Sequence, residues 1–150
     1  VYLWKRSGIA KILTVFLLAW HAVSALLIYP DYFSYFNEFI GGPSNGYKYL
    51  RDSNIDWGQD LKGVGQWVQK NNYPEVAVYY HGIEDPSYYG IPYRNLESGE
   101  VDVPKNTVYA IGAHHLDSIH WTSGIKPTKV IGHSFFIYDL RDRKEAGEDL

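Results

Sequence analysis

Ile12 to Ile28 forms a run of 17 residues interrupted only by Thr14, His21 and Ser24. Extended to Ile9 and Tyr29 it reaches about 20 residues, the length at which a helix crosses a hydrocarbon core. No other feature constrains the chain so strongly, because a segment of this kind needs a bilayer or a large core around it. A helix buried in a soluble core is one alternative, and a secretory signal peptide is another. A signal peptide shares the basic start, but its apolar core is shorter and Tyr29-Pro30-Asp31 is no small-residue cleavage site. The run is therefore expected to be a transmembrane helix within residues 1–30, with the lipid bilayer as its first partner. Lys5, Arg6 and Lys11 precede it and no acidic residue does, whereas residues 31–150 carry 11 basic and all 17 acidic residues. The positive-inside bias places the amino end in the cytoplasm and everything after Pro30 outside it. His21, near mid-span, is expected to be neutral and turned toward other helices.

Of the whole chain 45% is hydrophobic, 17% aromatic and 21% charged, which excludes disorder for most of it. A net charge of -3, with no Lys/Arg cluster longer than two, gives no footprint for nucleic acid. The absence of Cys rules out disulfides and thiolate chemistry. The chain opens on Val1 and contains no Met, so it is expected to be a piece of a longer polypeptide.

Beyond the apolar run, Tyr29, Tyr32, Phe33, Tyr35, Phe36, Phe39 and Ile40 recur at spacings of three and four. This predicts an amphipathic aromatic helix over 31–43, lying at the membrane interface or packed on the following domain. Residues 44–140 are expected to form that domain, with 141–150 a charged, frayed tail. Asp56 stands three residues before Gln59, the spacing of a capping box, and Trp57, Leu61, Val64 and Val68 make one helical stripe ending near Asn71. A short helical piece is expected at 47–51 and another helix over 116–121. Val76 to Tyr80 and Thr107 to Gly112 suit buried strands, and 129–140 suits one long strand or two short ones broken at Gly132. The fold class predicted is α/β: a transmembrane helix followed by a small, mostly parallel layer domain of three to four strands.

The segments YFNEFIGGP, DSNIDWGQDL and GHSFFIYDL, with YYHGIEDPSYYGI between them, resemble the carboxy-terminal region of bacterial multi-span membrane glycosyltransferases. These are similar to the dolichyl-phosphate-mannose protein mannosyltransferases and other enzymes using polyprenyl-phosphate sugars. The resemblance covers roughly residues 20–140. It implies an accessory domain outside the cytoplasm, at a bacterial inner membrane, partnered by the preceding membrane-spanning part of the same protein and by a glycan or lipid-linked sugar. It carries no catalytic residue onto this chain, since the superfamily's catalytic carboxylate belongs to earlier loops. The alternative is a membrane-anchored, non-catalytic binding or assembly module.

Three constellations could hold a ligand. Asp52, Asp56 and Asp60 recur every four residues and could offer oxygens to a hard cation or a sugar, or simply cap a helix. His114, His115, Asp117 and His120 follow a strand end, although i and i+6 side chains diverge on a helix. Tyr79, Tyr80, Tyr88, Tyr89 and Tyr93, with His81, Glu84 and Asp85, combine rings that stack with carboxylates that accept hydroxyls. Of these, Asp52, Asp56, Asp60, Tyr80, His81, Glu84, Tyr88 and Tyr89 are the expected ligand contacts. No metal or cofactor is expected, and no nucleophile elbow, Walker loop, GxGxxG or HExxH occurs.

Overall fold

The computed structural model describes residues 8–51 and 55–141. Helix α1 (Gly8–Leu27) has 20 residues, about 30 Å of rise and long enough to cross a membrane. Its apolar side chains face outward: Ile12, Leu17, Leu18 and Leu26 are all more than half exposed, and only Ser24 is buried. Thr14 donates its hydroxyl to the Ala10 carbonyl at 2.8 Å, so that polar side chain is satisfied within the helix.

The aromatic helix expected over 31–43 does not form. Two 3-10 turns stand there instead, Tyr32–Ser34 and Glu38–Ile40, separated by extended backbone at Tyr35. Asn37 accepts the Phe39 N–H with its side chain, an alternative to helix continuation. The break lets the segment serve two neighbours. Ser34 and Phe36 turn toward the domain, while Glu38 and Phe39 meet α1. The helical piece expected at 47–51 lies earlier, as α2 (Pro43–Gly46) with Pro at its start.

Five strands form one sheet in the order β2-β1-β3-β5-β4. They are β1 (Val76–Tyr79), β2 (Tyr93–Asn95), β3 (Val108–Gly112), β4 (Lys129–Ile131) and β5 (Phe135–Asp139). β2, β1 and β3 run parallel, but β5 is antiparallel to β3, and β4 to β5. The expectation of a mostly parallel sheet of three to four strands is thus corrected to a mixed sheet of five. The reason is local. Gly132 and His133 both have positive φ and Ser134 N–H closes the turn on the Ile131 carbonyl, so 129–139 folds as a hairpin without the long crossover a parallel neighbour requires.

Both faces of the sheet are buried, and side chains alternate between them. Ala77, Tyr109, Ile111, Phe136 and Tyr138 pack with Leu116, Ile119 and Trp121 on one side. Val76, Val78, Val108, Ala110, Phe135 and Ile137 pack on the other against helix α3 (Leu61–Lys70). The expected stripe holds for Leu61, Val64 and Val68, each burial contributing roughly 2 kcal/mol, whereas Trp57 lies before the helix and is 54% exposed. The helix expected over 116–121 is a pair of 3-10 turns, Ala113–Ser118 and His120–Ser123. Thr122 bonds the Leu116 and Ile119 carbonyls there and supplants an α ladder. Between β2 and β3, buried Glu100 accepts two hydrogen bonds from Arg94, both 2.6 Å, and one from Tyr109 at 2.8 Å.

Candidate ligand crevice at the carboxyl end of the sheet

β1 is flanked by β2 on one side and β3 on the other, so the chain leaves β1 in one direction and the next crossover returns past it in the other. Loops diverge at such a point and leave a crevice outside the carboxyl ends of the strands. Residues 80–85 after β1, 112–115 after β3 and 55–60 before α3 converge on this end.

Asp56 forms its floor. The side chain is fully buried, Oδ1 accepts the Gly58 N–H at 3.1 Å, and the His114 N–H also bonds the carboxylate. Oδ2 has no hydrogen-bond partner among the described residues. Burial pushes its pKa up, against the pull of those N–H donors and of the His81 and His114 rings. Gly112 is pressed so closely on Oδ2 that a Cβ there would lie 2.1 Å away. The capping-box reading of Asp56 is therefore corrected. α3 begins at Leu61, and the Gln59 side chain instead bonds the Trp57 N–H and the Ile55 carbonyl, both at 2.8 Å.

Asp60 precedes α3 but makes no cap bond. Its carboxylate accepts the Ser134 hydroxyl at 2.5 Å, tying the helix start to the β4–β5 turn. Burial raises its pKa to about 6, against the Ser134 hydrogen bond and with help from the charges of Asp31 and Asp56. Asp52 lies outside the described residues. Asp56 and Asp60 do not share a helix face, and among the described residues no three His, Asp or Glu side chains gather closely enough to hold a metal ion.

Above Asp56 runs a chain of rings. Trp57 meets His81 edge-on at 5.6 Å, His81 lies 4.9 Å from His114, His114 meets His115 at 4.9 Å, and His115 stacks on Tyr79 at 3.9 Å. Burial, with the neighbouring His114 charge, lowers the His115 pKa. The His114-Asp117-His120 grouping does not assemble. Asp117 pairs with Arg51, and His120 with Asp102 at 2.7 Å. The two adjacent histidines instead join His81, which lies 33 residues earlier and is brought close by the β1–β3 pairing. Trp57 and His114 were not among the expected contacts: His114 comes to His81 through the β1–β3 pairing, and no local signal marks Trp57.

On the other flank of the 80–85 loop a groove of about 470 Å³ is lined by Tyr79, Tyr80, Glu84, Asp85, Tyr93 and Asn95. The Tyr80 hydroxyl donates to the Glu84 carbonyl, and the Tyr89 hydroxyl to the Glu84 carboxylate at 2.5 Å. Tyr88 meets Tyr89 edge-on and is 84% exposed. Tyr80, Glu84, Tyr88 and Tyr89 are thus brought together, with His81 on the opposite side of the same loop. Rings, phenols and carboxylates in this arrangement can stack on an apolar ring face and accept hydroxyl protons. No protein-family model, curated protein or solved structure matches the chain.

Proposed function

We propose that the chain is the terminal span and extracytoplasmic domain of an integral membrane glycosyltransferase that uses a polyprenyl-phosphate sugar, and that the domain binds saccharide at the carboxyl end of its sheet. One observation carries this reading: the ring series Trp57, His81, His114, His115 and Tyr79 and the adjoining groove with Glu84 and Asp85 stand together at the carboxyl end of the sheet, in a domain that follows an apolar, outward-facing helix. Aromatic faces pack against the C–H faces of a pyranose while carboxylates accept its hydroxyls. The basic flank before α1 supports a bacterial inner-membrane location with the domain outside. The alternative, a membrane-anchored binding or assembly module, draws support from Asp56, whose carboxylate is sealed from solvent and poorly placed for general-base work.

The test is a titration of the whole chain in detergent micelles with neutral manno- and gluco-oligosaccharides, read by indole fluorescence and by NMR of the imidazole protons. Binding that weakens in Trp57→Ala and His81→Ala supports the reading, and no binding at millimolar ligand overturns it. Lipid-linked sugar turnover by the polypeptide with its upstream spans, and not by this chain alone, favours the transferase over the module.

A further inference from the structure

The crevice and the membrane helix are joined at one end of the sheet. Gly112, the last residue of β3, pairs with Phe135, the first of β5, and the Ala113 N–H donates to the Ser134 carbonyl at 2.7 Å. The β4–β5 turn therefore lies at the carboxyl ends of β1 and β3, beside the ring series. Ser34, in the segment leaving α1, donates its hydroxyl to the Gly132 carbonyl of that turn at 2.9 Å. Asp31 lies near enough to Asp60 for their charges to interact.

A second lock binds the same segment back onto α1. The Glu38 carboxylate accepts the Trp20 indole N–H at 3.1 Å and the Ser24 hydroxyl, and the Phe39 ring stacks on Trp20 at 6.0 Å. Trp20 and Ser24 stand seven and three residues before the end of α1, roughly 10 and 5 Å along its axis. Residues 38 and 39 thus lie alongside the helix and not beyond it. The rings of this segment face outward: Phe39 is 88% exposed, Phe33 71% and Tyr32 54%. Rings with one polar end on such a segment match the headgroup boundary of a bilayer.

From these two locks we infer that the domain is seated with the carboxyl end of its sheet against the lipid headgroup layer, residues 32–39 sunk into the interface and the ring crevice opening onto that layer. The inference rests on the reading of α1 as a span. The far end of the sheet, where Tyr73 bonds Asp139 and Trp67 packs on Tyr73, then points into the aqueous phase. Aromatic insertion and the tether hold this seat, and Asp31, Glu38 and Asp60 beside it outnumber Lys48, which is held near Gly41 through Asn45, so no anionic lipid is needed. It is therefore expected on neutral phosphatidylcholine and at high salt.

The chain has no Cys, so one introduced thiol reports one position. Ile83→Cys marks the fully exposed loop after β1, and Lys70→Cys marks the far end of α3, roughly 15 Å of helix away from Asp60. The full chain carrying a fluorophore at either thiol is reconstituted in phosphatidylcholine vesicles containing a headgroup nitroxide lipid. Quenching severalfold stronger at position 83 than at 70, unchanged by salt, supports the seat. Equal or reversed quenching overturns it, and so does a salt-dependent difference. Reversed quenching with saccharide titration intact removes the seat alone. Saccharide titration lost with the quenching order intact removes the binding reading alone. Failure to stay with vesicles after a carbonate wash removes the span and the seat together.

Discussion

Replacing Arg94 by Ala should destabilise the domain strongly, because it strands a buried charge. Glu100 is fully buried, and Arg94 supplies two of its hydrogen bonds at 2.6 Å. After the change only the Tyr109 hydroxyl at 2.8 Å and the Glu97 N–H at 2.9 Å remain. Removing one partner of a buried pair typically costs 3–5 kcal/mol, and the partial exposure of Arg94 places the cost here at about 3 kcal/mol. The pH dependence follows from the same contacts. Burial works to raise the Glu100 pKa, but the Arg94, Glu97 and Tyr109 donors outweigh it and hold the group at about 2, below its ordinary 4.5. A depressed carboxylate pKa stabilises the fold fully above about 4.5, and that contribution is lost as pH falls toward 2. The readout is denaturant unfolding of the chain in micelles, followed by near-ultraviolet dichroism of Trp121, whose indole N–H bonds the Glu100 carbonyl at 2.7 Å. Arg94→Ala should lose about 3 kcal/mol at pH 7, and Arg94→Met with Glu100→Met should recover most of it. A loss under about 1 kcal/mol, or an acid slope unchanged in Glu100→Gln, would refute the reasoning.

Asp60, raised to about 6 from 3.8, takes up its proton in the folded state first, so the wild-type chain gains stability as pH falls through that window. Asp60→Asn should flatten the gain in thermal unfolding at pH 7 and pH 5, and an unchanged difference between the two would count against it. Gly112→Ala should cost about 1–3 kcal/mol by driving a methyl into Asp56 Oδ2, and Asp56→Ala on the same chain should restore part of the loss. Melting temperatures of the single and double variants decide this, and strict additivity would show that the two residues do not meet.

What the sequence revealed was whatever a local period or a punctuating residue can encode. Val76 to Val78 and Val108 to Gly112 are continuous apolar runs buried on both faces, and they read as strands. Leu61, Val64 and Val68 read as a stripe because α3 presents one face to the sheet. β2 left no such mark, since Tyr93, Arg94 and Asn95 form a short edge strand with no fully buried side chain and no apolar run. The 32–40 segment carried a true helical period, yet its side chains answer to two different partners, and tertiary contacts override period in so short a stretch. Asp56 was noticed for its spacing to Gln59, but its importance lies in Gly112, which is 56 residues away and adjacent only through folding. Tyr80, Glu84 and Tyr89 were legible together because one loop holds all three.

If the proposed function holds, the charge of the crevice bears on which half of a lipid-linked sugar it takes. Trp57, Tyr79, Tyr80, His81, His114 and His115 are joined by Glu84 and Asp85, with Asp56 buried behind them, and neither the ring series nor the groove contains a Lys or Arg. A phosphate diester calls for forked or point cations, and buried or clustered carboxylates beside it are repulsive. A neutral saccharide asks the opposite: ring faces to stack on and oxygens to accept its hydroxyls. On the proposed function, a domain built this way is expected to take the sugar and not the phosphate. Inorganic phosphate and methyl phosphate should therefore fail to compete with an oligosaccharide for the indole signal of Trp57. Competition by either would mean that the crevice holds the anion, and the division of roles between this domain and the membrane spans would fall.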